Sequence, residues 1–595
     1  MSSTFSATVN TKPFTRVLIA NRGEIALRVV RACHDLGLTA IAAYTTPDSD
    51  ADFVRYADDA WLMPGNGAAE TYLDIDSILT IAERSGAEAV HPGYGYLAES
   101  PEFAQAVINA GLVWVGPPPA AIAGLADKAN ARAVAREVGA PTTRGSNGPV
   151  KNVDDALAVA DEIGYPVVIK AVHGGGGRGF RTAASRAELP HAYESAGREA
   201  KAAFGRDDVL VEQQILRPRH IEVQAIADAA GRILIGSTRD CTLQRRNQKI
   251  IEEAPAPFLS DEQVATLTEA TENTLRAVGY VGAATCEFLM GDNGTLSFME
   301  TNARIQVEHT ITEEVAGIDL VAWQLKIAQG ESLPESFPAP RGHAIQFRIN
   351  AEDPAQNFFP ATGKITALRE PAGPGVRMDS GVEVGRFVTS DFDPMLAKLI
   401  VTGEDRQQAL ARARRALDEY VLEGVATLLP LHRALVNEPA FAEDFSVSTE
   451  WLQTEYVPNF DIPASTPGET SPDTSSVDVV VEVDGHRLTV KVPKELAAAG
   501  NGSAVPAERP ARRLRRKGSR RSNESAELAA PMQGTIVSVE VAAGDSVSEG
   551  QTLAVIEAMK MEQPLKATRE GVVSDVLVEA GASVKSGTTL ITFAS

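Results

Sequence analysis

A chain of 595 residues, 44% hydrophobic and 23% charged, is too long for one hydrophobic core and divides into roughly three to five domains. A net charge of −23 argues against general nucleic-acid affinity and for a metabolic protein, and no apolar run reaches the length of a membrane span. Met1-Ser-Ser-Thr-Phe-Ser has no basic head with an apolar segment behind it, and the three cysteines, Cys33, Cys241 and Cys286, lack metal-ligand spacing, so the expectation is a cytoplasmic protein without disulfides or a zinc site.

Arg16 to Ala20 reads as a buried strand, Asn21-Arg22-Gly23 as a turn, and Glu24 to about Gly37 as a helix with Ile25, Val29, Cys33 and Leu36 on one face. Thr39 to Tyr44 completes a βαβ unit. The first turn holds one glycine where a dinucleotide fingerprint needs three, so the unit is Rossmann-like without a nicotinamide signature. Ala89-Val-His91-Pro-Gly93-Tyr-Gly95-Tyr-Leu-Ala-Glu99 and Val115-Gly116-Pro-Pro-Pro119 put Gly/Pro turns after short apolar strands, where open α/β sheets carry ligand loops.

Tyr165 to Ala171 is an expected strand, His173-Gly174-Gly175-Gly176-Gly177-Arg178-Gly179 a loop, and Phe180 onward another extended piece. Glycines in series let backbone N–H groups close on phosphate oxygens; a plain surface linker is the other reading. A Walker loop is excluded, because these glycines join two strands.

Ala284 to Met290 and Leu296 to Asn302 read as strands around the turn Gly291-Asp-Asn-Gly294. Alternation lets Glu287 face Glu300, with Asn302 on the side of Glu300 and Cys286 in the opposite apolar layer. Two carboxylates and an amide oxygen suit Mg²⁺, a hard cation; a solvated face is the alternative. In Asn302-Ala-Arg304-Ile-Gln306-Val-Glu308-His309-Thr-Ile-Thr-Glu313, Arg304, Gln306 and Glu308 alternate on one face of an expected strand, which must then line a wet site.

Gln407 to Tyr420 has an amphipathic helical pattern, and this folded region ends near Val457. Pro463 to Ser475 has a disordered composition, Val477 to Val492 is a hairpin with Asp484-Gly485 at its turn, and Arg509 to Arg521 is basic: a solvated linker, or a nucleic-acid tail. A short β unit beginning at Gly534 recurs at Gly571, about 37 residues later. The two copies flank Glu557-Ala-Met-Lys560-Met-Glu562 and predict a flattened barrel of about 70 residues with the lysine at a turn.

These motifs resemble the biotin-dependent carboxylases. Leu18 to Ala26 and His91 to Glu99 are similar to the N-terminal region of biotin carboxylase, the glycine hairpin to the ATP-grasp fold, and Met559-Lys560-Met561 between two half-domains to the biotinyl carrier. Lipoyl carriers share that repeat but usually carry Asp-Lys-Ala at the turn. The order is that of the α subunits of biotin-dependent acyl-CoA carboxylases.

The resemblance implies a multidomain α/β and α+β chain: a Rossmann-like domain at 14–127, an ATP-grasp domain at 128–335, a biotin carboxylase C-terminal domain at 336–457, a linker with hairpin and basic tract at 458–527, and a biotinyl, lipoyl-like flattened β-barrel at 528–595. The implied activity is ATP- and bicarbonate-dependent carboxylation of biotin carried on Lys560. Lys128, Lys170 and Gly174, Gly175, Gly176 and Gly177 would bind phosphates, Glu212 adenine and His220 the ribose side; Glu287, Glu300 and Asn302 would hold Mg²⁺ or Mn²⁺. Arg304 would fix bicarbonate, Glu308 act as general base, Lys249 bind bicarbonate and carboxyphosphate, and Arg348 stabilise charge on the biotin ureido oxygen. Asn247 stands where many relatives carry histidine, which implies altered nucleotide contacts. For the family motif Asp391 to Lys398, local folding and an active-site role are equal readings.

The implied partners are a carboxyltransferase β subunit, a biotin protein ligase and further copies of the chain, with no nucleic acid and no membrane. Between Val457 and Leu528 there is too little chain for a carboxyltransferase. Another ATP-grasp ligase would leave the Met-Lys-Met domain unexplained, and a non-catalytic scaffold would leave the ionisable residues unexplained.

Overall fold

The computed structural model describes residues 11–457, 476–483, 486–493 and 527–593, less residues 66, 127, 147, 173–179, 205, 531–533, 559–560, 568 and 585–586. The chain divides into two compact units, one holding nearly all residues up to 466 and the other residues 467–595. Among the described residues no helix is long and apolar enough to cross a membrane.

In the first unit the apolar runs near the N-terminus form a five-stranded parallel sheet in the order Asp59–Leu62, Thr39–Tyr44, Arg16–Ile19, Ala89–His91, Val113–Trp114. The helix Gly23–Asp35 lays Ile25, Val29 and Cys33 onto its core. Strand order reverses between Arg16–Ile19 and Ala89–His91, and the loops after these strands meet there. Asn21 Nδ2 donates to the carbonyls of Pro92 (2.7 Å) and Tyr94 (2.8 Å). Gly93 has φ of +63° and a Cβ on it would stand 2.8 Å from that same Nδ2, so two separate reasons require glycine.

A small antiparallel sheet of Phe180–Ala183, Val167–Ala171 and Val209–Gln213 packs with helices Val153–Ile163 and Leu189–Phe204 through Ala156, Ala160, Ile169, Ala196 and Val211. Beside it in the chain lies an eight-stranded antiparallel sheet. Its order is Leu296–Asn302, Gly282–Met290, Arg219–Ala227, Ile233–Arg245, Gln248–Ala254, His343–Asn350, Met395–Gly403, Val376–Ser380. The sheet crosses the boundary expected after residue 335, because Glu253 pairs with Ile345 and leaves Gln248–Ala254 no free edge. Ile221, Val223 and Ala225 face an apolar layer with Leu267, Ala270, Cys286 and Phe288. By the period of two, His220, Glu222 and Gln224 point to the other face.

One expectation is corrected. The strand predicted to run through Arg304, Gln306 and Glu308 stops at Asn302; residues 303–308 are turns, and the helix His309–Ala316 follows with Glu308 as its N-cap. The backbone there is satisfied by side chains and not by a ladder: Ala303 N–H donates to Glu99 Oε1 (3.0 Å) and Val307 O accepts from Lys398 Nζ (3.1 Å).

The second unit contains two four-stranded antiparallel sheets, in the orders 527–529, 589–593, 571–576, 546–547 and 561–566, 552–558, 534–539, 583–584. The repeats interlock, since Gly534–Val539 pairs with Ser583–Val584 of the second copy and Gly571–Val576 with Ser546–Val547 of the first. Ile536, Leu553, Val573, Leu590 and Phe593 fill one shared core. A separate hairpin pairs Ser476–Val483 with His486–Pro493. Asp484, Gly485, residues 463–475 and the basic run 509–521 lie outside the described residues.

Candidate active site

Sheet register assembles the site. Glu300 pairs with Glu287, Glu287 with Glu222, and Glu222 with Arg239, so four ionisable residues stand in one row across four strands. Glu222 and Arg239 are fully buried, a situation stable only with complete pairing. Arg239 supplies it: Nε donates to Glu222 (2.9 Å), the terminal nitrogens to Gln224 (2.7 Å), Thr285 (3.0 Å) and Thr312 (3.1 Å), and one also to Gln306.

Lys249, on Gln248–Ala254, reaches into this row. Its Nζ lies 2.6 Å from Glu308 Oε1 and 3.1 Å from Glu287 Oε1, and it also pairs with Glu222. Burial opposes its charge, yet the carboxylates of Glu222, Glu287 and Glu308 hold it well above the usual lysine range. Arg348, on His343–Asn350, places NH2 3.0 Å from Glu308 Oε2 while its Nε holds Glu252. Burial would raise the Glu308 carboxyl, but Lys249, Arg348 and Arg239 keep it well below the ordinary carboxylate value.

Glu287 Oε1 accepts from Asn302 Nδ2 (2.8 Å) and Gln306 Nε2 (2.7 Å), while its Oε2 lies 3.0 Å from His220 Nε2. Burial disfavours the His220 cation, and Glu287 overrides this and raises its pKa. Arg304 bridges Asn302 Oδ1 (2.9 Å) and Glu99 Oε2 (3.0 Å). Glu300 is half-buried beside Glu287. Of the three residues expected to hold the cation, Glu287 and Glu300 are register partners, while Asn302 turns Nδ2 to Glu287 and Oδ1 to Arg304; among the described residues the His, Cys and carboxylate ligand atoms that converge are those of His220-Glu222-Glu287 and Glu222-Cys241-Glu308.

Glu212 turns its buried carboxylate to Lys170 Nζ (2.9 Å) and to Arg132. Lys128 begins the helix Lys128–Glu137, and its side chain lies outside the described residues, as do Gly174, Gly175, Gly176, Gly177 and Lys560. The strands Thr552–Ala558 and Met561–Lys566 that flank Lys560 in sequence pair up to Ala558 opposite Met561.

Glu308, Lys249, Arg348, Glu287, Asn302 and His220 come together, with Arg304 at the edge. Sequence reading missed Arg239, Glu222, Glu252, Glu99 and Arg132. For Glu222 a signal existed: polar residues at 220, 222 and 224 alternate with Ile221, Val223 and Ala225. Arg239 and Glu252 gave none, since their partners are remote in the chain.

Four family matches tile the chain: "Biotin carboxylase, N-terminal domain" over 13–122, "Carbamoyl-phosphate synthase L chain, ATP binding domain" over 127–336, "Biotin carboxylase C-terminal domain" over 346–454 and "Biotin-requiring enzyme" over 526–593. The chain is 50% identical to the biotin-dependent acyl-coenzyme A carboxylase alpha3 subunit of Mycobacterium leprae, over 93% of this chain and 94% of that protein. It is 43% identical to the biotin carboxylase of Nostoc over 74% of this chain and 99% of that protein. Among solved structures, the biotin carboxylase domain dimer of the 2-oxoglutarate carboxylase of Hydrogenobacter thermophilus, in complex with MgADP, ADP and bicarbonate, is 41% identical with a TM-score of 0.69, over 75% of this chain and 99% of that one.

The chain belongs to the biotin carboxylase family, as the α-subunit type of acyl-CoA carboxylase in which the carboxylase is fused to a biotinyl carrier domain. Its activity is the ATP-dependent carboxylation of biotin, and its cofactors are biotin and Mg²⁺.

Proposed function

We propose that Glu308 is the general base of this reaction and that Lys249 and Arg348 serve in turn Glu308 and the substrates. The observation that supports it is the suspension of one buried carboxylate between two partly buried cations. In that arrangement Glu308 is ionised but weakly basic. Bicarbonate, an anion, competes for Lys249, with Arg304 fixing its other side. As the cations turn to the substrate, Glu308 loses the charges that depress it and becomes able to take the bicarbonate proton. The bicarbonate oxygen then bonds to the γ-phosphorus of ATP, the bond from that phosphorus to the bridging oxygen breaks, and ADP leaves with carboxyphosphate formed.

Carboxyphosphate divides into phosphate and CO₂ away from water, the released phosphate takes the N1′ proton of biotin, and the ureido nitrogen bonds to the CO₂ carbon. We assign Arg348 to charge developing on the ureido oxygen, Lys128, Lys170 and Gly174 to Gly177 to the phosphates, Glu212 to the adenine side and His220 to the ribose side. Glu287, Glu300 and Asn302 are the ligands we assign to Mg²⁺, which when bound neutralises triphosphate charge.

Lys560 is the biotinylated residue in this reading, modified by a separate biotin ligase. The partner is a carboxyltransferase β subunit acting on an acyl-CoA, and the chain works as one copy among several in the complex. Bicarbonate-dependent ADP release in the presence of free biotin tests the reading. Carboxylated biotin is the expected product; ADP release indifferent to bicarbonate would refute it. Supplied with ATP, bicarbonate and acyl-CoA but no β subunit, the chain should release ADP and form carboxybiotin but no carboxylated thioester.

A further inference from the structure

The motif Asp391 to Lys398 ends on a lysine that the proposed chemistry does not use. Lys398 is fully buried, an expensive position for a cation, and its Nζ lies 3.0 Å from Glu24 Oε2 and 3.8 Å from Asp379 Oδ2. Glu24 opens the helix Gly23–Asp35 of the N-terminal sheet region and is also hydrogen-bonded by Tyr94. Two carboxylates account for the charge of Lys398. They do not account for where its remaining hydrogen bond goes: Nζ donates to the carbonyl of Val307 at 3.1 Å, the residue before Glu308.

Register explains the aim. Arg348 and Lys398 are direct partners across His343–Asn350 and Met395–Gly403, and Lys398 is in turn the partner of Asp379. Side chains of paired residues leave the sheet on one face. Arg348 and Lys398 therefore emerge as neighbours and grip the same short segment from two sides, Arg348 at the Glu308 carboxylate (3.0 Å) and Lys398 at the peptide oxygen just before it. The segment needs such a grip, because residues 303–308 have no ladder partner and the helix begins only at His309.

We propose that Lys398 is a positioning residue for carboxylation: it fixes the Val307-Glu308 peptide, and so the carboxylate that takes the bicarbonate proton, while Glu24 and Asp379 hold the lysine in place. This rests on the assignment of Glu308 as base. Lys398 touches no substrate and acts through Glu308 alone.

The test is a double-mutant cycle in the full chain, with ATP, bicarbonate and free biotin, of Lys398→Met and Glu308→Gln. Glu308→Gln should lower kcat by about 10²–10⁴-fold. Lys398→Met should lower kcat by about 10- to 100-fold, as misplacing a catalytic group by an ångström does, with KM for ATP changed by less than about threefold. The double variant should be no slower than Glu308→Gln by more than about twofold, because there is no base left to position. Losses that multiply in the double variant, or a wild-type rate for Lys398→Met, would overturn the proposal while leaving the base assignment standing. A wild-type rate for Glu308→Gln would remove the base assignment and this inference with it. If Lys398→Met does not fold, Lys398→Met with Glu24→Gln removes the carboxylate left without its cation, and the same cycle is run on that background.

Discussion

At the scale of single residues, the buried charges of the site are stable because each is answered by another. Arg239 is the extreme case, with no exposed surface and hydrogen bonds to Glu222, Gln224, Thr285, Thr312 and Gln306. Arg239→Met should destabilise the carboxylase region by about 3–5 kcal/mol, since it leaves the buried Glu222 carboxylate with Lys249 alone of its two close cations and takes a donor from Gln224 and Gln306. Arg239→Lys should recover only part of this, because an ammonium cannot reproduce the planar fork. Denaturant midpoints check both. Glu253 makes a pH-dependent case. Burial alone would raise its carboxyl, but hydrogen bonds from His343 and Arg406 and the charge of Arg406 bring it down to about 2. A pKa depressed in the folded state contributes stability above the unfolded value and loses it as pH falls toward the folded one. The expected contribution is about 3 kcal/mol at neutral pH, lost between roughly pH 5 and pH 2. Stability of Glu253→Gln should accordingly fall less steeply with acid than that of the wild type; parallel curves would contradict the assignment.

At the scale of elements, the hairpin joining Ile233–Arg245 to Gln248–Ala254 shows what the departure at Asn247 means. Arg245 pairs with Gln248, leaving a two-residue turn in which Arg246 has φ of 48° and Asn247 φ of 63°. Two successive left-handed residues define the turn that matches strand twist, and asparagine tolerates that region better than most side chains. Asn247 is thus suited to the turn whatever its effect on nucleotide contacts. Asn247→Gly should keep stability close to wild type. Asn247→Val, with a branched Cβ at positive φ, should cost about 1–3 kcal/mol and weaken bicarbonate use, because the turn sets the register of Lys249 two residues on. Melting midpoints and the KM for bicarbonate read the two effects.

At the scale of the whole molecule, the hydrophobic clusters of the carboxylase region and of the repeat domain are composed of separate residues. Residues 1–457 expressed alone should therefore fold and release ADP with bicarbonate and free biotin as the full chain does. A loss of that activity on truncation would mean that the second unit supports the carboxylase fold. Lys560→Arg in the full chain should abolish streptavidin capture and leave free-biotin carboxylation intact. Capture that persists would put the biotin on another residue.

Much of this was legible in local pattern. A period of two sufficed to send Cys286 into the apolar layer, whereas the pairing of Glu287 with Glu300 needs a β-bulge: the register of the turn, Met290 with Leu296 and Phe288 with Phe298, shifts by one residue before Glu287. The repeat around Lys560 declared two similar half-units facing each other, but that each copy lends a short strand to the other's sheet emerged only from the tertiary structure. The segment after Asn302 was misread because alternating polar residues mimic a strand, whereas the backbone at 303 and 307 is bonded to Glu99 and Lys398, 204 and 91 positions away in sequence. The row Glu300, Glu287, Glu222, Arg239 and the shared grip of Arg348 and Lys398 on Glu308 were likewise beyond the sequence. Residue types and their periodicity determine which face of a strand is polar. Which polar faces meet depends on the register between strands distant in the chain, and that is decided by packing of the apolar layer behind them, for which no local signal exists.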